Sequence, residues 1–447
     1  MAFRFNFQIR LTYTRASHFL LDLLVEAETM RAIQSCLFFL GVIVNASGAA
    51  AEVSLEEIWA VVQQQQVQIA ALTAKLESAQ AKLDSTQRQV KITEEQLGLT
   101  VDYLAEVDTA GANRTSVGGY GELHYNNLDA EDDARDFKEA DFHRFVLFFG
   151  HQFTDRIRFN SEFEIEHSLV QDTADGSNGG EVEIEQAYLE VDLNDNYWAR
   201  AGLALIPVGI TNETHEPPTF YGVERNDVEN IIIPATWWEA GVAGGGRYSN
   251  GLSWEFGVHS GLEMATDGDS AFRIRSGRQK VSHANAENLA YTLRLKYTGV
   301  PGLELAGTYQ HQTDASQLSG DGLGNADLFS MHGIWNNGPF SVRALWAQWN
   351  FAGDTVELAG VDQQTGWYIE PSIRLDLGGT DWGFYGRFED LEGARTQDRF
   401  EQWELGFNFW PTDNVVLKFD YRNRDHLLER DAGRDFHAID LGLGYQF

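Results

Sequence analysis

The chain ends Asp435-Phe436-His437-Ala438-Ile439-Asp440-Leu441-Gly442-Leu443-Gly444-Tyr445-Gln446-Phe447. Its large apolar side chains alternate along one face: Ile439, Leu441, Leu443, Tyr445 and Phe447. The other face carries small or polar residues: Ala438, Asp440, Gly442, Gly444 and Gln446. This pattern suits a strand with lipid on one side and water on the other. A soluble β-sandwich would also allow the alternation, so the rest of the chain must decide.

The lengths of the connections between strands favour a barrel. From about Val117 the hydrophobic period becomes two, and sixteen strand candidates follow, one of them at residues 141–153. Every second connection is very short, as at Asn194-Asp195 and Asn337-Gly338, whereas the others are mostly longer and polar. Such alternation sorts all turns to one rim and all loops to the other, which neither a sandwich nor a propeller requires. We predict an all-β transmembrane barrel of about 16 antiparallel strands over residues 115–447, preceded by an α-helical coiled coil.

The composition agrees with a barrel and excludes other classes. The 447 residues include 43 Gly and 28 Phe but only 8 Pro, which favours tight turns and long strands. A mean hydropathy of −0.32 excludes a bundle of apolar membrane helices, but a barrel turns only alternate residues to lipid. The net charge of −34 excludes binding to nucleic acid through phosphates.

The N-terminal part, residues 1–51, is predicted to be an extension followed by a signal peptide. Met30-Arg31 precedes an apolar run that ends near Ala49-Ala50-Ala51, as in a secretory signal. The single cysteine, Cys36, lies before this apolar run, so it does not resemble a lipid-attachment site. Cleavage near Ala51 leaves a mature protein without cysteine. The start-like Met30 favours translation from that residue over translation from Met1.

Residues 52–99 are predicted to form a periplasmic coiled coil. Ser54 and Glu57 make a capping box, and neither Gly nor Pro occurs from there to Gln96. Apolar residues recur at one heptad position: Leu55, Val62, Ile69, Leu76, Leu83, Val90 and Leu97. The second core position is partly polar, so the heptads predict partner helices without separating a dimer from a trimer. A single amphipathic helix is the alternative.

The inward faces of the strands carry charged residues, which predicts a wet lumen. The predicted pore wall consists of Arg144, Arg158, Glu162, Glu164, Arg374, Arg387, Arg422 and Arg424. A barrel of sixteen strands leaves an aqueous channel unless something narrows it.

The third long loop, between the fifth and sixth strands, is the candidate constriction. It runs from Pro207 to Thr236 and has its own proline and aromatic residues, which favours an ordered and functional loop. Its predicted constriction residues are Glu213, Glu216, Glu224, Arg225 and Asp227. Folded inward, the acids would face basic wall residues and set ion preference by fixed charge. Alternatively, the loop covers the rim of the barrel or takes part in a subunit contact.

Several stretches resemble a known family. Gly119-Tyr120-Gly121-Glu122-Leu123, Glu185-Gln186-Ala187-Tyr188-Leu189 and Arg200-Ala201-Gly202-Leu203 are similar to segments of the phosphate-selective porin O/P family of Gram-negative bacteria. The resemblance implies a homotrimeric outer-membrane porin whose terminal residues Leu443, Tyr445 and Phe447 are the signal for the barrel assembly machinery. Phosphate selectivity in that family relies on a ladder of lumenal Arg and Lys. Here Glu162 and Glu164 share the inner face, so we do not carry phosphate specificity over.

The predicted function is therefore a water-filled channel for small hydrophilic solutes or ions, with weak cation preference. The alternatives are an anion-, phosphate- or dicarboxylate-selective porin, and a structural barrel that tethers the outer membrane to the cell wall through its coiled coil. Enzyme motifs such as GxSxG and HExxH are absent from the sequence, and we expect no catalytic residues and no cofactor. The histidines are spread over different strands and loops, so we expect no metal site. Lipid and lipopolysaccharide are the expected surroundings.

Overall fold

The computed structural model describes residues 59, 63, 114–170, 179–318 and 322–447. The predicted signal region, residues 1–51, lies outside the described residues. So does the predicted coiled coil, residues 52–99, apart from Trp59 and Gln63, which are both helical.

The described chain forms a closed barrel of sixteen antiparallel strands, which confirms the predicted fold class. The strands, numbered in chain order, are β1 (Thr115–Ala130), β2 (Phe137–Thr154), β3 (Ile157–Glu166), β4 (Val182–Asp192), β5 (Tyr197–Leu205), β6 (Trp238–Arg247), β7 (Leu252–His259), β8 (Ala290–Val300), β9 (Leu303–Gln312), β10 (Ala326–Asn337), β11 (Phe340–Phe351), β12 (Gln363–Asp376), β13 (Asp381–Glu392), β14 (Arg399–Thr412), β15 (Val415–His426) and β16 (Phe436–Gln446). Each strand pairs with its neighbours in sequence, and β1 pairs with β16 to close the sheet.

The closure extends to the last residue of the chain. Gly119 N donates to Phe447 O at 3.0 Å, and Phe447 N donates to Gly119 O at 2.9 Å. A Cβ added at Gly119 would lie 2.2 Å from the Val146 carbonyl oxygen and 3.1 Å from Phe447 Cζ. Glycine at this position therefore allows the terminal phenylalanine to pack against β1.

The two faces of the strands differ as the alternation predicted. On β16, Ile439 and Leu441 are exposed outward, whereas Ala438 and Asp440 are buried inside the barrel. Leu295 on β8 and Leu417 on β15 are exposed in the same way. This outer surface is the apolar band that a transmembrane barrel presents to lipid.

Strand β2 starts earlier than predicted. The predicted strand covered residues 141–153, but Phe137 already pairs with Leu128 of β1. The first residues of β2 are exposed on both faces, so this end of the strand shows no alternation of burial. Arg144 is buried in the lumen, as its charge predicted.

Turns and loops separate to opposite rims. The short connections are 155–156, 193–196, 248–251, 301–302, 338–339, 377–380 and 413–414. The longer ones are 131–136, 167–181, 206–237, 260–289, 313–325, 352–362, 393–398 and 427–435, and one of them contains a short helix, α1 (Asp354–Leu358). Among the residues that the structure describes, no helix has the length and apolarity needed to cross a membrane.

An apolar core fills one sector of the lumen. It joins residues 206–237, which we call the third loop, to inward-facing side chains of β10 to β14. Trp237 and Ile232 of the loop pack in the same cluster as Leu345 and Trp349 of β11. The expectation of a uniformly charged and wet lumen was therefore wrong for this sector, because the third loop covers apolar wall residues there.

The terminal strand generates a prediction about assembly. Deleting Phe447 removes two backbone hydrogen bonds at the closure, each contributing about 1 kcal/mol, together with its packing against Gly119. We expect a smaller fraction of heat-modifiable folded barrel in the membrane, measured by gel mobility before and after boiling. Phe447→Tyr, which keeps the backbone and the ring, is the control and should assemble normally. Normal assembly of the deletion variant would contradict the proposed role of Leu443, Tyr445 and Phe447.

Candidate functional site

The third loop folds into the barrel and contacts strands on opposite sides of the lumen. Its Glu213 pairs with Arg294 of β8. Its Glu224 lies with Oε1 3.1 Å from Nδ1 of His124 on β1. These contacts require the loop to cross the lumen, so the residues around it form the candidate constriction.

A buried carboxylate organises the middle of the loop. Glu229 Oε1 accepts from Ile210 N at 2.5 Å and Thr211 N at 2.7 Å. Its Oε2 accepts from Asn226 Nδ2 and from Tyr368 Oη of β12, each at 3.0 Å. The four hydrogen bonds to this one side chain fix two parts of the loop to each other and to the wall.

Asn212 joins the two ends of the loop. Its Nδ2 donates to Ile206 O at 2.7 Å and to Trp237 O at 3.1 Å. Its Oδ1 accepts from Trp237 N at 2.7 Å. One buried amide thus satisfies backbone groups at both stems, where the loop leaves β5 and returns to β6.

Glycines on the wall let the loop lie close to the strands. At each of four glycines, a Cβ atom would lie against the loop. At Gly444 it would be 2.2 Å from Pro217 Cβ, and at Gly442 it would be 3.2 Å from Val223 Cγ2. At Gly383 it would be 2.4 Å from Tyr221 Oη, and at Gly366 it would be 3.0 Å from Ile232 Cγ1. The proline ring of Pro217 and the backbone of β16 are both stiff. Any larger residue at Gly444 would therefore displace the loop or the strand.

Wall side chains also donate to the loop backbone. Lys418 Nζ donates to Gly222 O at 2.7 Å, and Asn408 Nδ2 donates to Phe220 O at 3.0 Å. Lys418 also lies over the Phe220 ring, 3.5 Å from its centroid. These contacts supply partners for carbonyls that the loop carries away from water.

Most predicted constriction acids are paired. Glu213 contacts Arg294, Glu224 contacts His124, and Asp227 contacts Arg424 of β15. The remaining two predicted residues differ: Glu216 is half-buried, and Arg225 has its Nε and Nη2 buried without a hydrogen-bond partner within the described ranges.

Basic neighbours lower the pKa of the loop acids Glu213 and Glu224. Burial raises the pKa of Glu213, but attraction to Arg294 and Lys296 outweighs it and leaves the pKa below its ordinary value. For Glu224, the opposing attraction and hydrogen bond come from His124, and its pKa also lies below the ordinary value.

The predicted wall arginines all lie beside carboxylates, as follows: Arg144 Nε is 2.6 Å from Glu122, Arg158 Nη1 is 2.6 Å from Asp192, Arg374 Nη2 is 2.8 Å from Asp381, Arg387 Nη2 is 2.6 Å from Glu404, Arg422 Nε is 2.6 Å from Asp440, and Arg424 pairs with Asp227. We expected the loop acids to face these arginines. Arg424 pairs with a loop acid, and Arg387 reaches loop carbonyls, whereas Arg144, Arg158 and Arg374 are paired with strand carboxylates instead.

Several of these pairs lie directly opposite each other on adjacent strands. Glu122 faces Arg144, Arg158 faces Glu190, and Glu255 faces Arg294 in the register of the sheet. Opposite charges at facing positions stabilise strand pairing. The partners Glu122, Glu190 and Glu255 were missing from the predicted site. Each pair belongs to two strands that one of the longer connections joins, and such a connection does not fix the register in the sequence.

The predicted wall residues Glu162 and Glu164 lie in a second, acidic part of the lumen. Glu162 of β3 and Glu185 of β4 are both buried beside His215 of the third loop. Arg144 Nη1 lies 3.5 Å from Glu164 Oε1. This part of the wall therefore combines several carboxylates with one histidine.

Comparison with known families agrees with this architecture. The sequence profile of the family described as Phosphate-selective porin O and P matches residues 116–447. The chain belongs to this family. This porin is thus a channel of the outer membrane for passive diffusion, and its fold points to a channel rather than an enzyme.

Individual proteins are also similar to this chain over most of its length. An uncharacterized protein of Aquifex aeolicus (strain VF5) is 37% identical over 346 residues, which is 71% of this porin and 77% of that protein. An anion-selective porin from Comamonas acidovorans has a TM-score of 0.51 at 12% identity, over 74% of this porin and 99% of that chain. OmpF of Salmonella typhi in complex with daunomycin has a TM-score of 0.51 at 13% identity, over 74% and 97%. At these identities the two solved structures share the fold alone.

The glycine contacts generate a prediction about the position of the third loop. Gly444→Ala places a methyl group 2.2 Å from Pro217 Cβ, so the loop must move away from β16. We expect single-channel conductance to change while the barrel still assembles, measured in planar bilayers with gel mobility as the folding check.

The matched control for this variant is Gly257→Ala. Gly257 is also buried in the barrel, but its added Cβ would lie 3.6 Å from Ala243 Cβ, an ordinary contact. Conductance of this control should equal that of the wild type. Equal conductance of Gly444→Ala and wild type would mean that the loop does not rest on β16.

Proposed function

We propose that this porin conducts small hydrophilic solutes and ions with a weak preference for cations at neutral pH. One observation carries the proposal: each predicted wall arginine lies within ion-pair distance of a carboxylate. A paired arginine offers an anion far less net attraction than a free one. A series of paired arginines is therefore a poor ladder for phosphate.

Other carboxylates beside the third loop support the same preference for cations. Glu239 accepts from Trp237 Nε1 at 2.9 Å, and Glu229 accepts from Thr211 N at 2.7 Å. These donors are neutral, so they add no positive charge beside either carboxylate. Fixed charge near the narrow part of a pore sets its ion preference.

An anion-, phosphate- or dicarboxylate-selective channel is the second candidate. Its support comes from the family and from two basic residues whose hydrogen bonds go to carbonyls: Lys418 bonds to Gly222 O, and Arg343 Nη2 donates to Thr219 O at 2.9 Å. Both residues are basic and lie beside the third loop. The sign of the reversal potential separates the two candidates.

We also propose that three copies associate as a homotrimer and that residues 52–99 form a periplasmic coiled coil. The support is the heptad pattern together with the family resemblance. A tether from this coil to the cell wall, recognition by the barrel assembly machinery and contact with lipopolysaccharide are further proposals of the same kind.

The selectivity proposal is tested by neutralising Glu213, Glu216 and Glu224 together to glutamine. The change removes negative charge and also frees Arg294 and His124 from their partners. The reversal potential in a salt gradient should therefore move toward anions, and the shift should exceed that of Glu216→Gln alone.

The control is Asp267→Asn, an exposed residue on a long loop. At about 0.1 M salt, charges beyond roughly 10 Å are largely screened, so this change should leave the reversal potential nearly unaltered. Strong anion selectivity of the wild type would overturn the proposal and favour the second candidate.

A further inference from the structure

Two strands and the third loop bring three metal-ligating side chains together inside the barrel. Glu162 Oε1 of β3, Glu185 Oε2 of β4 and His215 Nε2 of the loop all lie within 4.8 Å of one another. All three side chains are buried, with at most 4% of any of them exposed. The cluster is separate from the Glu213, Glu224 and Asp227 contacts of the loop.

The distances within this cluster fit a bound metal ion better than hydrogen bonds. His215 Nε2 lies 3.4 Å from Glu162 and 3.5 Å from Glu185. A charge-assisted hydrogen bond between these groups would be about 2.7–2.9 Å long. Ligands about 2.0–2.1 Å from a tetrahedral zinc ion are about 3.4 Å from each other.

The other carboxylate oxygens are held by neutral donors. Gln186 Nε2 donates to Glu162 Oε2 at 2.6 Å, and Thr236 Oγ1 donates to Glu185 Oε1 at 2.5 Å. Hydrogen bonds of this kind orient the ligands in protein metal sites. They leave Glu162 Oε1 and Glu185 Oε2 facing the histidine.

Atoms without hydrogen-bond partners converge on the same place. Over the described ranges, Glu185 Oε2 and both carboxylate oxygens of Glu164 are buried and accept no hydrogen bond. Glu164 is fully buried and forms a second group of potential ligands with Glu183 and Glu185. Leaving buried polar atoms unpaired costs about 1–3 kcal/mol each, which a cation would offset.

Two basic residues near the cluster, Arg144 and Lys280, have carboxylate partners outside it, and a third, Arg278, donates to the carbonyl oxygen of Thr236. Arg144 lies 2.6 Å from Glu122 and farther, at 3.5 Å, from Glu164. Lys280 pairs with Glu181 and Glu183. The charges of Arg144 and Lys280 are therefore shared with acids outside the cluster. The carboxylates of Glu162 and Glu185 remain for a cation.

We propose that Glu162, Glu185 and His215 bind a divalent transition-metal ion of the zinc class, with Glu164 or a water molecule as the fourth ligand. An imidazole ligand and a small ligand set favour zinc over calcium and magnesium, which prefer six or more oxygen ligands. The ion fixes the third loop to β3 and β4. The proposed site depends on the position of the third loop. It does not depend on whether the channel prefers cations or anions.

The experiment uses the full chain, purified as folded barrel in detergent and stripped with EDTA. Titration with Zn²⁺ in a calorimeter should show saturable binding of one ion per chain. His215→Ala and Glu185→Gln should each weaken that binding at least tenfold, since even second-shell changes cost about 10–100-fold. Glu185→Gln keeps the shape of the side chain, so it tests the site where His215→Ala fails to fold.

The matched control is His332→Ala. His332 is also buried on the lumenal side, but its Nε2 faces a single carboxylate, Glu304, at 3.2 Å. This control should bind Zn²⁺ as the wild type does. Co²⁺ bound to the wild type should give the visible absorption of a tetrahedral ion, and Glu185→Gln should lose it.

Three results would overturn the site. They are an absence of saturable Zn²⁺ binding in the wild type, wild-type affinity in Glu185→Gln, and loss of binding in His332→Ala comparable to that in His215→Ala. The first would leave His215 as an ion-pair partner of two carboxylates.

Discussion

A loop that enters the lumen must find partners on the wall for the backbone groups it withdraws from water. The wall of this barrel provides them. Carbonyls of the third loop between Thr219 and Gly222 accept hydrogen bonds from Lys418, Asn408 and Arg343. In the other direction, Glu389 of β13 accepts from Asp227 N at 2.7 Å. Glycines make room where the loop lies against the strands. The position of the loop, the apolar core beneath it and the arrangement of charges around it all depend on this match.

The same contacts decide the electrostatics of the channel. Arg294 is shared between Glu213 of the loop and Glu255 of β7. Arg424 pairs with Asp227, so a basic wall residue and an acidic loop residue cancel each other. We propose that ion preference depends on the carboxylates beside the third loop that face neutral donors.

The sequence predicted the barrel well because strand alternation is a local property. The inward positions of Lys418, Arg422 and Asp440 follow from counting along their strands, and the structure buries all three. The ion pairs are not local: Glu255 meets Arg294 only through the register of β7 against β8. The partners of the third loop depend on its path across the lumen, which no periodicity encodes. For this reason the sequence shows His215 only as one of several scattered histidines, whereas the fold places it between Glu162 and Glu185.

The most direct measurement of the central claim is a disulfide between the third loop and the wall. The Cβ position at Gly442 lies 3.2 and 3.3 Å from the two γ carbons of Val223, so cysteines at these two positions would bring their sulfur atoms close together. In a Cys36→Ser background, Val223→Cys with Gly442→Cys should cross-link on oxidation in the folded barrel, whereas Val223→Cys with Gly257→Cys should not. If both thiols of the first pair stay reactive in a folded barrel, the third loop does not lie on β16 and the account fails.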